Sequence, residues 1–153
     1  MRIGHDGTWF YHGSPIGRKP LVKLFASVLR RENDGDYWLV TPVERARIRV
    51  DDAPFTAVEV NSSGGGKERT LVFRTNLDEE VRLDAEHPLE VRFRGETHEP
   101  RPYIRVRDGL EARVLRPVFY ELVSIAEPAP DGDPGTIGVW SSGQFFSLGR
   151  AEG

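Results

Sequence analysis

The sequence predicts an α+β fold made of two similar, strand-rich half-domains with one helix each. Three observations support this prediction. Short stretches of alternating apolar and polar residues recur along most of the 153 residues, as expected of strands that bury one face. Residues 20–31 instead space their apolar side chains as an amphipathic helix does. In both halves a stretch containing arginine and proline leads through a helix-like segment into an aromatic and aliphatic strand, which indicates a duplication.

The first half-domain is predicted to span residues 1–77. It begins with two short strands within residues 3–11, joined by an Asp-Gly turn. Pro20 suits the first turn of the helix that follows, and Arg30 and Arg31 would complement the negative end of its dipole. The remaining strands are predicted over 37–41, 46–50, 56–60 and 70–74, with an exposed glycine-rich loop at 61–69.

The second half-domain is predicted to span residues 78–153. A short helix is expected at 110–115, where Asp108 would cap its start and Pro117 would end it. Residues 118–125 are apolar enough to form a central strand. Further strands are predicted over 81–83, 89–94, 103–107 and, as a closing hairpin, 136–149.

The composition limits the classes of function. The chain has no cysteine, which excludes disulfides and thiolate ligands. Its net charge of −3 argues against a nucleic-acid partner, since such proteins usually carry excess positive charge. No apolar segment is long enough for a membrane helix or a signal peptide, so we expect a cytoplasmic protein without a membrane partner. Arginine makes up 18 of the 21 cations, which fits either anion recognition or the codon bias of a GC-rich genome.

No motif predicts a catalytic residue, a metal site or a cofactor. The four histidines, including His98, are scattered over turns and loops without the spacing of metal ligands. Asp51 and Asp52 are neighbours and would point to opposite faces, so they predict a turn before Pro54 and not a pair that shares a proton. The glycine-rich run at 64–67 lacks the rest of a phosphate loop and predicts a flexible connection.

Three segments resemble an uncharacterised proteobacterial family, domain of unknown function 1285. They are DGTWFYHGSPIGRKPLVKLFASVL at 6–29, DGDYWLVTPVERARIRVDDAPF at 34–55 and PYIRVRDGLEARVLRPVFYELV at 102–123. The resemblance implies a duplicated α+β core whose C-terminal half is like pleckstrin-homology domains. It also implies a ligand site at the interface of the halves, which takes a nucleotide-like molecule in signal transduction.

The second half contributes a candidate binding face. Tyr103, Arg105 and Arg107 alternate with apolar residues and would project to one side of a strand. They belong to a segment that resembles the family, and Tyr103 would stack on a planar ring while the guanidinium groups hold phosphates. Arg92 and Arg94 show the same alternation but are better explained as a solvated face.

The first half is predicted to supply four more ligand-binding residues. Arg18 precedes the helix, whose first N–H groups also favour anions. Thr41 is placed to donate to a ligand oxygen at the end of an apolar strand. Glu44 and Arg45 follow just past the Thr-Pro break, where Glu44 would orient an arginine and Arg45 would hold the ligand, so that the predicted site joins both halves.

These observations predict a non-catalytic module that binds a nucleotide-like or other phosphorylated small molecule between the halves, with a role in bacterial signal transduction. The alternative is a protein-interaction adaptor, in which the pleckstrin-like half or an exposed sheet edge binds a signalling protein. An enzyme acting on a phosphate ester through Glu44 or Asp51 is a third hypothesis, but no pair of base and nucleophile supports it.

Overall fold

The computed structural model describes residues 1–94 and 99–150. Within these residues the protein contains two six-stranded sheets, one three-stranded sheet and two α-helices. His98 and the last three residues of the second predicted half-domain lie outside the described residues. The strand-rich α+β class with two helices is therefore confirmed.

The first sheet is built by residues 2–50, with its helix between the third and fourth strands. Its elements are β1 (Arg2–Ile3), β2 (Trp9–Tyr11), β3 (Ser14–Pro15), α1 (Lys19–Ser27), β4 (Leu29–Arg31), β5 (Tyr37–Val40) and β6 (Arg45–Val50). The strand order is β3-β2-β1-β6-β5-β4. The central pair, β1 and β6, is parallel, and the neighbouring pairs are antiparallel.

The second sheet has the same plan. Its elements are β7 (Phe55–Ser63), a 3-10 turn (Gly66–Glu68), β8 (Thr70–Thr75), β9 (Glu80–Arg82), β10 (Leu89–Arg94), β11 (Glu99–Arg107) and β12 (Leu110–Val114). The order is β10-β11-β12-β7-β8-β9, with one parallel pair, β12 and β7, in the centre and antiparallel pairs on both sides. The two sheets are thus similar, as a duplication predicts.

The two helices are also alike. The elements that complete the chain are α2 (Arg116–Ser124), β13 (Glu127–Pro128), β14 (Thr136–Ser141) and β15 (Gln144–Arg150). Each helix has nine residues, carries proline at its second position and ends in a serine whose Oγ donates to the carbonyl oxygen three residues before, at 2.6 Å. Proline fits there because N–H groups in the first turn have no partner within the helix. Each helix is followed by three antiparallel strands.

The chain passes from the first sheet to the second at residues 51–54. We call residues 1–50 and 55–150 the first and second units, and residues 51–54 the linker. The sequence prediction placed the meeting point near residue 77. The second sheet begins earlier in the chain, at β7. This strand pairs in parallel with β12, and β8 and β9 extend the same sheet from β7.

The first helix ends sooner than its apolar spacing predicts. Residues 29–31 form β4, in which Leu29 pairs with Leu39 and Arg31 with Tyr37 of β5. Leu29 is buried in this strand. The strand therefore buries the same apolar side chain that a longer helix would have buried. Arg30 and Arg31 therefore lie in a strand and do not complement the helix dipole.

The predictions for residues 110–125 were wrong in both type and order. The expected helix at 110–115 is β12, in which alternate residues are buried, and the expected strand at 118–125 is α2, which buries Val118 and Leu122. Pro117 does not end a helix but lies in the first turn of one. Tyr120, midway between these two buried residues, is exposed, which fits a helix, since a strand would place residues 118, 120 and 122 on the same face.

The hydrophobic core is continuous across the two units. Buried side chains from the first unit, such as Ile3 and Trp9, belong to the same cluster as Phe55, Phe73 and Leu122 from the second. No helix of the described residues is long and apolar enough to cross a membrane. The two units are therefore joined by one shared core.

Candidate functional site

A cleft of about 610 Å³ lies where the two units meet. We call it the junction cleft. His5 lines it from the first unit. The start of β11, the end of β12 and the start of α2 line it from the second unit. Its charged and aromatic lining includes Glu99, Arg101, Arg113, Arg116, Phe119 and Tyr120.

Strand pairing explains how the arginines converge. Arg101 and Tyr103 are two residues apart on β11, so they share one face of the strand. Arg113 on β12 lies directly opposite Tyr103. Arg116 is the first residue of α2. Only the N-cap residue, Leu115, separates this helix from the end of β12. Three guanidinium groups thus come from three consecutive elements to one concave surface.

Asp52 of the linker lies next to two of these guanidinium groups. Its side chain is only 9% exposed. It accepts a hydrogen bond of 2.8 Å from the Tyr103 hydroxyl, and its Oδ2 lies 3.2 Å from Arg113 Nε and 3.5 Å from Arg101 Nη1. Burial, followed by the hydrogen bond to Asp52, raises the pKa of Tyr103, so the hydroxyl keeps its proton and remains a donor.

Arginine is the main charged residue of the cleft. Among the described residues, the lining includes Arg101, Arg113, Arg116 and one carboxylate, Glu99, while Asp52 and Asp6 interact with Arg113 from outside that lining. The Arg116–Glu99 pair is short, at 2.6 Å, but both side chains are more than half exposed, so water screens it. A guanidinium fork in a partly buried cleft is well suited to a phosphate or a carboxylate.

Of the residues predicted to bind a ligand, Tyr103 contacts Asp52, the partner of Arg101 and Arg113, but its own side chain is buried and does not line the cleft. Arg105, two residues further along β11, is exposed, and the register with β12 shifts between Arg105 and Arg107. Arg107 Nη2 donates 3.2 Å to the carbonyl oxygen of Ala26 at the end of α1. Its guanidinium group also lies over the Phe55 ring, so Arg107 links α1 to the second unit.

The four predicted residues of the first unit lie elsewhere. Arg18 is exposed at the N-cap of α1. Thr41 and Glu44 are brought together, but by the β5–β6 turn: Thr41 Oγ1 donates to the Glu44 carbonyl oxygen at 3.2 Å and accepts from its N–H at 3.1 Å. Arg45 pairs with Glu32 at 3.0 Å and lies over the Trp38 ring. None of these four residues lines the junction cleft.

Sequence reasoning missed Asp52, Arg101, Arg113 and Arg116. Arg113 faces Tyr103 only because residues 107–110 form a hairpin turn, in which Gly109 has a φ of +71°. An Asp-Gly pair between apolar segments is a hairpin signal. Interpreted in that way, Asp108-Gly109 would have placed 110–114 on a strand beside 103–107.

A separate ion-pair cluster also joins the two units. Asp78 of the second unit lies 3.0 Å from Lys19 and 3.1 Å from Lys23 of α1. The hydrogen bonds from Lys19 and then Lys23 lower the pKa of Asp78 to about 2. Since the pKa falls on folding, this carboxylate stabilises the fold above its ordinary pKa and loses that effect as the pH drops toward 2.

We therefore expect Asp78→Asn to lower the melting temperature at neutral pH, by an amount that shrinks between about pH 4 and pH 2. Thermal denaturation across that range measures it. Glu121→Gln, which neutralises an exposed carboxylate of α2, is the matched control and should show a smaller difference. A deficit for Asp78→Asn that stays constant down to pH 2 would contradict the assignment.

The fold and the junction cleft define a two-unit α+β protein with an arginine-lined interface. Two family models match the chain: "Domain of unknown function (DUF1285), N-terminal domain" over residues 1–53, and "Protein of unknown function (DUF1285), C-terminal domain" over residues 54–148. The chain belongs to the DUF1285 family. The two models meet within the linker.

Two solved structures of the family resemble this protein. A DUF1285 family protein from Silicibacter pomeroyi DSS-3 is 45% identical with a TM-score of 0.91, and the match covers 99% of this chain and 80% of that one. A DUF1285 family protein from Shewanella baltica OS155 is 27% identical with a TM-score of 0.63, covering 80% and 89%. No match was found among curated proteins.

Proposed function

We propose that the protein is a non-catalytic module that binds a nucleotide-like or other phosphorylated small molecule in the junction cleft. The supporting observation is the convergence of Arg101, Arg113 and Arg116 on one concave surface between the units. Guanidinium groups pair with phosphate oxygens through two parallel hydrogen bonds, which gives both affinity and orientation. The volume of about 610 Å³ lies within the usual range of small-molecule sites.

The cleft also offers groups for the rest of such a ligand. Phe119 and Tyr120 of α2 line one wall, and Tyr120 is 61% exposed. An aromatic ring beside cationic groups can stack on a planar base while its phosphate is held by arginine. We place the module in the cytoplasm and in bacterial signal transduction, where occupancy of a site between two units would alter how they or a partner dock.

A second candidate function is a protein-interaction adaptor. In α2, Tyr120 and Val123 are three residues apart and are 61% and 41% exposed, so they form a small apolar patch on one face of the helix. The second unit, in which a mainly antiparallel sheet is followed by α2, is the half that we propose to be pleckstrin-like. A signalling protein would bind this patch or the adjacent sheet edge.

A thermal-shift panel of nucleotides, sugar phosphates and pyrophosphate tests the first proposal. A compound present at 100 times its Kd stabilises a protein by about 2.7 kcal/mol, which for a chain of this size is a shift in Tm of roughly 5–10 °C. We expect at least one compound to raise the melting temperature, and Arg113→Ala and Arg116→Ala to abolish the rise. Arg45→Ala removes an exposed arginine outside the cleft and should retain it.

The panel also separates the two candidates. If no phosphorylated compound raises the melting temperature at millimolar concentration, the small-molecule proposal fails. A stoichiometric protein partner whose binding is lost in Tyr120→Ser would then support the adaptor. Because Tyr120 is exposed, that variant should fold as the parent protein does.

A further inference from the structure

The carboxylate of Asp52 already lies next to two of the arginines that line the junction cleft. Its carboxylate lies 3.2 Å from Arg113 Nε and 3.5 Å from Arg101 Nη1. A phosphate bound in the cleft would require the same two guanidinium groups. Asp52 also belongs to the linker, the four residues through which the chain passes from one unit to the other.

The contacts between Asp52 and the arginines are its weaker ones. The Arg101 contact, at 3.5 Å, is at the upper limit of a hydrogen bond. Arg113 Nε is near Asp52 but is not aligned with it, and this buried nitrogen has no hydrogen-bond acceptor among residues 1–94 and 99–150. The bond from Tyr103, at 2.8 Å, is the short one. Tyr103 can therefore hold the carboxylate in place while the arginines change partner.

Arg113 also contacts the first unit directly. Its Nη2 donates a 2.9 Å hydrogen bond to the carbonyl oxygen of His5. The polar contacts of this side chain thus go to a loop of the first unit and to the linker. If the guanidinium group turned toward a ligand, both contacts would be weakened together.

We propose that Asp52 is a built-in competing anion for the junction cleft. A phosphorylated ligand takes Arg101 and Arg113 from Asp52, and this exchange loosens the contact of Arg113 with the loop at His5. Binding in the cleft is in this way coupled to the junction between the units. The inference rests on the proposed function, because it concerns the regulation of that same site.

Titration calorimetry with adenosine 5′-monophosphate and inorganic pyrophosphate tests the competition. In Asp52→Asn the hydrogen bond from Tyr103 has an acceptor, but the negative charge is gone. We expect both probes to bind about five- to tenfold more tightly to this variant than to the parent protein. Glu99→Gln removes the same charge from a side chain that is 52% exposed, so its effect should be less than about twofold.

The outcomes separate the inference from the proposed function. Equal or weaker binding to Asp52→Asn, with the parent protein binding a probe, would overturn the competition and leave the proposed function standing; Asp52 would then position the arginines. Absence of binding to the parent protein and to every variant would overturn both. Tighter binding to Asp52→Asn, without a similar gain for Glu99→Gln, supports both the competition and the proposed function.

Hydrogen exchange on the parent protein gives a second test that does not depend on a variant folding. The N–H of Gly4 donates to the Thr8 carbonyl oxygen at 2.8 Å, and the N–H of Asp51 donates to that of Ile3 at 2.9 Å. We expect both amides to exchange faster when adenosine 5′-monophosphate is bound. Slower exchange at these two amides would overturn the proposed loosening of the junction.

Discussion

Replacing Phe73 by alanine is expected to lower the free energy of unfolding by about 3–5 kcal/mol. Phe73 is fully buried in β8, between β7 and β9 of the second sheet, and belongs to the core shared by both units. Truncation removes its buried apolar surface and leaves a cavity that close-packed neighbours fill only in part. Since whole domains have about 5–15 kcal/mol of stability, this one change removes a large share. Urea denaturation measures the loss.

The same sheet supplies the control for this prediction. Phe93 on β10 is 53% exposed, so Phe93→Ala removes much less buried surface. We expect it to cost less than about 1 kcal/mol. Similar losses for the two variants would show that Phe73 is not in the core that the structure describes.

Replacing Gly7 by alanine is expected to cost about 2–4 kcal/mol, because two effects add at one position. Gly7 has a φ of +86°, which an L side chain rarely adopts, and an added Cβ would lie 2.7 Å from Asn76 Nδ2. Asn76 joins the units: its Nδ2 donates to the Gly7 carbonyl oxygen, and its Oδ1 accepts from the N–H of Thr56 at 3.1 Å. The substitution strains the loop and displaces the side chain that holds it. Thermal and urea denaturation measure the loss.

Gly13→Ala separates the two effects. Gly13 has a φ of +81°, close to that of Gly7, but an added Cβ would meet no atom within 4 Å. This control should lose only the backbone contribution, about 1 kcal/mol. If Gly7→Ala and Gly13→Ala lose the same amount, the contact with Asn76 contributes nothing to the junction.

Where the buried face of a strand alternates in sequence, the strand could be predicted. Residues 37–40 and 70–75 lie within one residue of their predicted bounds at each end. The failures came where one residue type supports two structures. Pro117 can end one helix or begin another, and Leu29 satisfies a helical stripe as well as a strand. Pairing of Leu29 with Leu39 of β5, across the turn at residues 32–36, decides the second case.

The candidate site was harder to predict than the fold. Alternation along β11 drew attention to Tyr103, but it could not show that Asp52 would lie beside it, since that contact spans 51 residues of sequence. Arginines on different strands converge only when the register between those strands is known. Arg45 and Arg105 had the expected residue type and surroundings in sequence, yet the sheets place them outside the cleft.

The parallel pair at the centre of the first sheet has a consequence for synthesis of the chain. Ile3 pairs with Val50, so β1 has no parallel partner until β6, almost fifty residues later in the chain, has been synthesised. At roughly 5–20 residues per second, that interval is about 2–10 s. The open edge of β1 is meanwhile a template for wrong pairing. On the ribosome, this edge is therefore open to wrong pairing until residues 45–50 have emerged.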